Sequence, residues 1–186
     1  MMGHTQVHEA AREVLDFWFA LPAERQFAKD ASLDAAIRDR FGPLRDAVKA
    51  SGAAGWRDHP DSLLAAIILL DQFSRNLFRG AAEAFAADDL AVALALHGIA
   101  MDWEERFPPE RRVFLYMPLM HAEDAPLQAL SVNKFDALGR EDNARFARWH
   151  RDVFERFGRF PGRNAALRRE SGADEEAWLT ENEGGW

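Results

Sequence analysis

The chain has 186 residues, a hydrophobic fraction of 48% and a formal net charge of −8, which suits one domain over 1–186 with a substantial core. The acidic balance argues against nucleic-acid binding through overall field. The absence of cysteine excludes disulfides, thiol catalysis and thiolate metal sites.

In chain order, Thr5 can cap a first helix over about 6–20. Val7, Ala10, Ala11, Val14, Leu15, Trp18 and Leu21 approximate the i, i+3, i+4, i+7 stripe there. The opening residues lack a basic stretch followed by an apolar core, so no signal peptide is read. Ser32 can cap a second helix with Leu33, Ala36, Ile37 and Phe41 on its apolar face. Gly42-Pro43 should kink or end it, and Gly52 should stop the turns that follow.

Ser62–Gly80 is the organising stretch. Asp61 or Ser62 is the expected N-cap. Leu63 to Leu70 is apolar on every side, as in a helix surrounded by other helices. Asp71, Gln72, Arg75, Asn76 and Arg79 follow at i, i+1, i+4, i+5 and i+8, on one side of a helix that runs through. Asp71 and Arg75 have the spacing of an ion pair with the acid N-terminal.

The spacing then predicts a helix over 83–100, of whose adjacent Asp88 and Asp89 only one can face that cluster. A short helix over 110–117 should end near Pro118. It leads into a second polar cluster, Tyr116, His121, Glu123 and Asp124. Glu123 or Asp124 should cap a helix over about 125–138 that carries Gln128 and ends at Gly139. An amphipathic helix over 141–157 has Phe146, Trp149, Val153 and Phe157 as its stripe, with His150 beside it. A third cluster, Arg159, Arg163 and Asn164, lies in FGRFPGRN. Ser171 with Asp174 is a possible capping box for a last helix over about 172–181, and 183–186 should be a frayed tail.

No segment alternates with period two long enough to be a strand. The sum is an all-α chain of eight or nine helices. The longest apolar run, about eight residues, is far short of the roughly 20 needed to span a membrane. A cytoplasmic protein with no membrane or nucleic-acid partner is expected; its oligomeric state is not legible.

Three chemistries compete for the polar clusters. His121, Glu123, Asp124 and His150, with Asp71 as an addition, have donors that suit a divalent ion, but H-x-E alone does not define a metal site. No metal and no cofactor are assigned. His121 with Glu123, or His150, could do acid–base catalysis with Tyr116 as a donor. No G-x-S-x-G, Walker or G-x-G-x-x-G motif accompanies them. Arg75, Arg79, Arg159 and Arg163, with Asn76 and Asn164, could grip a carboxylate or phosphate. The same residues could equally be internal struts paired with Asp71, Glu123 and Asp124.

With these clusters in view, the chain resembles a bacterial family catalogued as domain of unknown function 924. The resemblance is carried by VLDFWF (14–19), LLDQFSRNLFRG (69–80) with FAADDLA (85–91), FLYMPLMHAED (114–124) with Gln128, and HRDVFERFGRFPGRN (150–164). It implies a right-handed, tetratricopeptide-like array of antiparallel helix pairs, and no established activity. Its recurring polar positions are Asp71, Gln72, Arg75, Asn76, Arg79, His121, Glu123, Gln128, His150, Arg159, Arg163 and Asn164. Two departures stand out: Gly162 where the family usually has His, and Arg168 where it usually has Gly in L-G-R.

The functional expectation is a helical array holding a small anionic ligand, or an acidic or C-terminal peptide, in a groove lined by Arg, Asn, Gln and His. The alternatives are a hydrolase using His121 and Glu123, with or without metal, and purely structural clusters.

Overall fold

A computed structural model describes residues 3–182, so the predicted tail at 183–186 lies outside the described residues. All regular structure in them is helical. Ten α-segments occur, two of them joined by a π turn, so nine α-helices are counted with that rod as one. None is long and apolar enough to cross a membrane. The chain forms two compact units, one of Met1–Arg79 with Glu83–Pro118, the other of Gly80–Ala82 with Leu119–Trp186.

In the first unit, α1 (His4–Phe19) buries Val7, Ala11, Val14, Leu15 and Trp18 of the expected stripe, leaves Ala10 half-buried and ends before Leu21, and packs on α4 (Pro60–Ile68). A short helix that the spacing did not predict, α2 (Ala23–Phe27), opens after Pro22. α3 (Ala31–Ala50) is capped by Asp30 rather than Ser32. The Asp30 carboxylate accepts the Ser32 and Leu33 N–H groups at 2.9 and 3.1 Å, and Ser32 donates its hydroxyl to the same oxygen. α3 also runs through Pro43. Pro43 and Asp39 are both exposed, so the carbonyl that the proline leaves unpaired faces water. At the other end Gly52 takes φ +61°, and the Ala53 and Gly52 N–H groups bond Val48 and Lys49 carbonyls, which closes the helix in a Schellman turn.

α4 starts two or three residues earlier than expected. His59 is the cap, its Nδ1 accepting the Asp61 N–H at 3.2 Å, and Pro60 takes the first helical position. Leu63 to Leu70 are all fully buried, as a helix apolar on every side requires. A five-residue π turn, Leu69–Phe73, then leads into α5 (Ser74–Leu77). α6 (Asp88–Ala100) begins five residues later than predicted, after a 3₁₀ turn at Ala82–Ala84. Its Gly98 lets the helix approach closely: a Cβ there would lie 2.9 Å from Leu63 Cδ2 and 3.1 Å from Leu115 Cδ1. α7 (Pro109–His121) does not stop at Pro118, so His121 stands in its last turn and not in a loop.

In the second unit, α8 (Ala125–Leu138) and α9 (Glu141–Phe157) form an antiparallel pair around Gly139, which takes φ +71°. Asp124, of the two acids considered, is the cap and accepts the Leu127 N–H at 3.0 Å. The buried face of α9 is Ala144, Ala147, His150 and Val153. Phe146, expected in the stripe, is 49% exposed; the small alanines face α8, and the larger ring is turned out. α10 (Ala173–Glu181) is capped one residue later than predicted, with the Glu175 carboxylate accepting the Gly172 N–H at 2.8 Å. Val153, Phe160 and Trp178 form a small core with Trp149, Phe154, Phe157 and Leu179 packed on it.

Candidate functional site

The first cluster lies on the π turn and the helix after it. The wide turn changes the helical phase between Ile68 and Ser74 and buries Asp71 and Gln72 side by side, with Gln72 Nε2 2.6 Å from Asp71 Oδ2. The predicted i,i+4 pair forms: Arg75 Nη1 is 3.1 Å from Asp71 Oδ1. Arg75 also grips Asp88 with both terminal nitrogens at 3.1 Å, and Asp89 is exposed. Burial pulls the Arg75 pKa down, but the charges of Asp71 and Asp88 outweigh it and hold the guanidinium above its ordinary value.

Asn76 and Arg79 both bind Asp34. Asn76 Nδ2 lies 2.7 Å from its Oδ1, and Arg79 makes two bonds of 2.6 and 2.9 Å. Burial pushes the Asp34 carboxyl up, while Arg79 and Asn76 outweigh it and leave it lowered.

A third assembly was missed. Arg45, fully buried, donates to Ser74 Oγ at 2.9 Å and to Glu83 at 2.7 Å, and Lys49 donates to the same Glu83 oxygen at 2.7 Å. The Lys49 bond first, then that of Arg45, lowers the Glu83 pKa. Ile37, Phe41, Arg45 and Val48 share the buried face of α3, so a charge on an apolar stripe was the available signal. Tyr116, also in this unit, is buried and hydrogen-bonded to Glu104. Burial, then the Glu104 charge, pushes its phenol up to about 12, which makes it a poor proton donor near neutrality.

The second and third predicted clusters meet inside the second unit. His121 and His150 are both buried, with ring centroids 5.9 Å apart. His150 Nδ1 sits 2.8 Å from the Phe146 carbonyl, and its ring lies edge-on to Phe160 at 5.6 Å. Three successive carbonyls at the end of α7 are taken by side chains. Gln128 Nε2 donates to Met120 and Ala122 at 2.7 Å each, and Arg163 Nη2 donates to His121 at 2.6 Å. These bonds satisfy free carbonyls at the helix end. The Arg163 guanidinium also lies over the Phe160 ring, 4.9 Å from its centroid.

The remaining charges close on one another. Glu123 accepts the Phe160 N–H at 2.8 Å and both Arg169 terminal nitrogens at 2.7 and 2.9 Å. Burial raises its pKa, but Arg169 and the Phe160 N–H prevail and lower it. The hydrogen bonds of Glu123 therefore do not join it to His121 as an acid–base pair. Arg159 holds Glu175 with two bonds of 2.7 Å; that contact, with the Gly172 N–H, holds the Glu175 carboxyl at about 2. Asn164, buried, donates to Ser171 Oγ at 3.0 Å and also bonds Glu175. Arg169 and Glu175 were missed because each partner lies on another segment. Among the described residues, no group of three or more His, Asp and Glu side chains is placed to hold a metal ion.

No curated protein matches the sequence. A solved structure of a protein of unknown function from Agrobacterium tumefaciens is similar at 38% identity, covering 94% of this chain and 98% of that one, with a TM-score of 0.89. The model of a family described as bacterial protein of unknown function (DUF924) matches residues 14–183, and the chain belongs to that family.

Proposed function

We propose that the protein binds a small anionic molecule, a carboxylate or a phosphate, in the second unit through Arg163, His121 and His150. The observation that supports this reading is that a buried guanidinium and two buried imidazoles, with ring centroids 5.9 Å apart, gather in one interior region, where the Arg163 charge also helps to lower the Glu123 pKa. Arginine keeps its charge under all ordinary conditions, and an imidazole needs little help to gain one. Such a set favours an anion, and its low-dielectric surroundings strengthen the attraction. The shell is also preorganised, because Arg163 is fixed by the carbonyl of the histidine beside which it acts. Arg159, by contrast, is committed to Glu175 and serves as a brace in this reading.

The test is thermal denaturation with millimolar carboxylates and inorganic phosphate, alongside native mass spectrometry of gently purified protein. Binding to the folded state raises Tm with concentration, and Arg163→Gln should remove that rise. No shift with any anion, together with a bare chain by mass, would overturn the reading.

A further inference from the structure

α6 has two apolar sides, and only one of them is buried. Between Leu90 and Ala100 its side chains are hydrocarbon except at His97 and Gly98. A helix apolar on every side is ordinarily enclosed by other helices, as Leu63 to Leu70 are. α6 buries Ala91, Leu94, Ala95 and Gly98 and packs on α4. Ala93, Leu96 and Ala100 stay exposed, Leu96 at 38%, and Met101 follows at 51%. Leu90, Val92 and Ile99 flank them, half-buried.

The exposed residues share one register. Asp89, Ala93, Leu96 and Ala100 fall at i, i+4, i+7 and i+11, the a and d spacing of a helix-packing seam. Scattered exposed apolar residues are ordinary, whereas a contiguous run of them marks an interaction surface. Leu96 supplies a knob, and the alanine on each side of it leaves room for a second helix to come close.

The charges at the ends of this seam select its occupant. Asp89 is exposed at one end, and Asp102 and Glu105 are exposed at the other, beside the exposed Arg106. Arg57, whose carbonyl meets His97 Nε2 at 3.3 Å, turns its guanidinium to the Gly52 carbonyl at 3.1 Å. A second copy of the chain fits poorly. Antiparallel pairing would set Asp89 against the end that holds Asp102 and Glu105, parallel pairing would set each acid against itself, and like charges brought together oppose association. The net charge of −8 adds to that repulsion.

We propose that the outward face of α6 docks an amphipathic helix of another protein, with apolar side chains at a and d and lysine or arginine beside them. The apolar seam supplies the contact, as in other helices that lay one face on a hydrophobic surface. The acids at its ends supply the selectivity. This surface lies in the first unit and is independent of the anion-binding reading.

The experiment is fluorescence anisotropy with a labelled synthetic helix of about 18 residues, or roughly 27 Å. It carries leucine and alanine at a and d and lysine at e and g; a sister peptide carries glutamate at e and g. The lysine peptide should bind, and the glutamate peptide should bind about tenfold more weakly or worse. Leu96→Glu should weaken the lysine peptide about tenfold or more, because a charge then faces the seam. That variant makes the protein more acidic, so attraction to its overall charge alone would strengthen binding instead. The second variant, Asp89→Lys with Glu105→Lys, should reverse the preference between the peptides. No binding of the lysine peptide would overturn the proposal, as would binding that survives Leu96→Glu or equal affinity for the two peptides. Self-association by sedimentation that is lost in Leu96→Glu would give the face to a second copy and overturn it too.

Discussion

The polar centres of the two units use the same residue types to different ends. In the first unit three guanidinium groups close on carboxylates: Arg75 on Asp71 and Asp88, Arg79 on Asp34, Arg45 on Glu83. In the second unit Arg159 and Arg169 do the same with Glu175 and Glu123, but Arg163 grips a backbone carbonyl beside two touching imidazoles. A charge that is neutralised by carboxylates braces the fold, and adding a ligand there means displacing its partner. The difference distinguishes carboxylate-paired arginines from one that bonds a backbone carbonyl, among residues that the sequence presents as one kind.

The comparison breaks most sharply at Arg75. Arg75→Met removes the cation from between two buried or half-buried carboxylates and should cost about 3–5 kcal/mol, measured by urea denaturation. A loss below about 1 kcal/mol would show that the first cluster does not brace the fold. The equivalent cut at Glu175 is smaller. Glu175→Gln gives up charge-assisted bonds to Arg159, at roughly 1.5–3 kcal/mol near neutral pH. It also has a pH signature. The folded pKa of Glu175 is about 2, below its ordinary value of about 4.3, so the unfolded state binds the proton first. The stabilisation is complete above the unfolded value and is lost as pH falls toward the folded one. The wild type should therefore lose stability between those values more steeply than Glu175→Gln does, and parallel profiles would remove Glu175 as a brace.

Much of the fold could be read from local pattern. The full burial of Leu63 to Leu70 and the stripe of α1 are consequences of spacing alone. The π turn could not be read, because a slip in the hydrogen-bond ladder changes no residue and is decided by what surrounds the helix. Its effect was to bury Asp71 and Gln72 together. The end of α7, beyond Pro118, was hidden for the same reason: its last free carbonyls are satisfied by Gln128 and Arg163, from elsewhere in the chain. Candidate site residues could be recognised by type and clustering, but not their partners. Arg79 finds Asp34 across 45 positions and Arg169 finds Glu123 across 46, and nothing local marks either acid as the one to be used.

Packing distinguishes the units as well. Gly98→Ala places a methyl 2.9 Å from Leu63 Cδ2 and 3.1 Å from Leu115 Cδ1, where a fully buried core has little room to give. A loss of about 1–3 kcal/mol is expected, with an unchanged response to anions because the proposed site lies in the other unit. An equal loss of anion binding would mean that the site depends on residues of the first unit.

The smallest effect is expected at Arg168, next to the arginine that engages Glu123. Arg168 takes φ +54°, a left-handed conformation that costs an L-residue roughly 1–2 kcal/mol and costs glycine nothing. Glycine also loosens the unfolded chain, which takes back about 0.4–1 kcal/mol. Arg168→Gly should therefore gain up to about 1 kcal/mol, and it would restore the residue usual in the similar family pattern. Arg168→Ala keeps the strain and removes only an exposed side chain, so it should change stability by less than about 0.5 kcal/mol. Read together by thermal denaturation, the two variants separate backbone from side chain. A gain in both would mean that the guanidinium, not the backbone, is the unfavourable element beside Arg169. A loss in both would mean that the side chain holds the Leu167–Arg169 turn in place, and with it the pairing of Arg169 with Glu123.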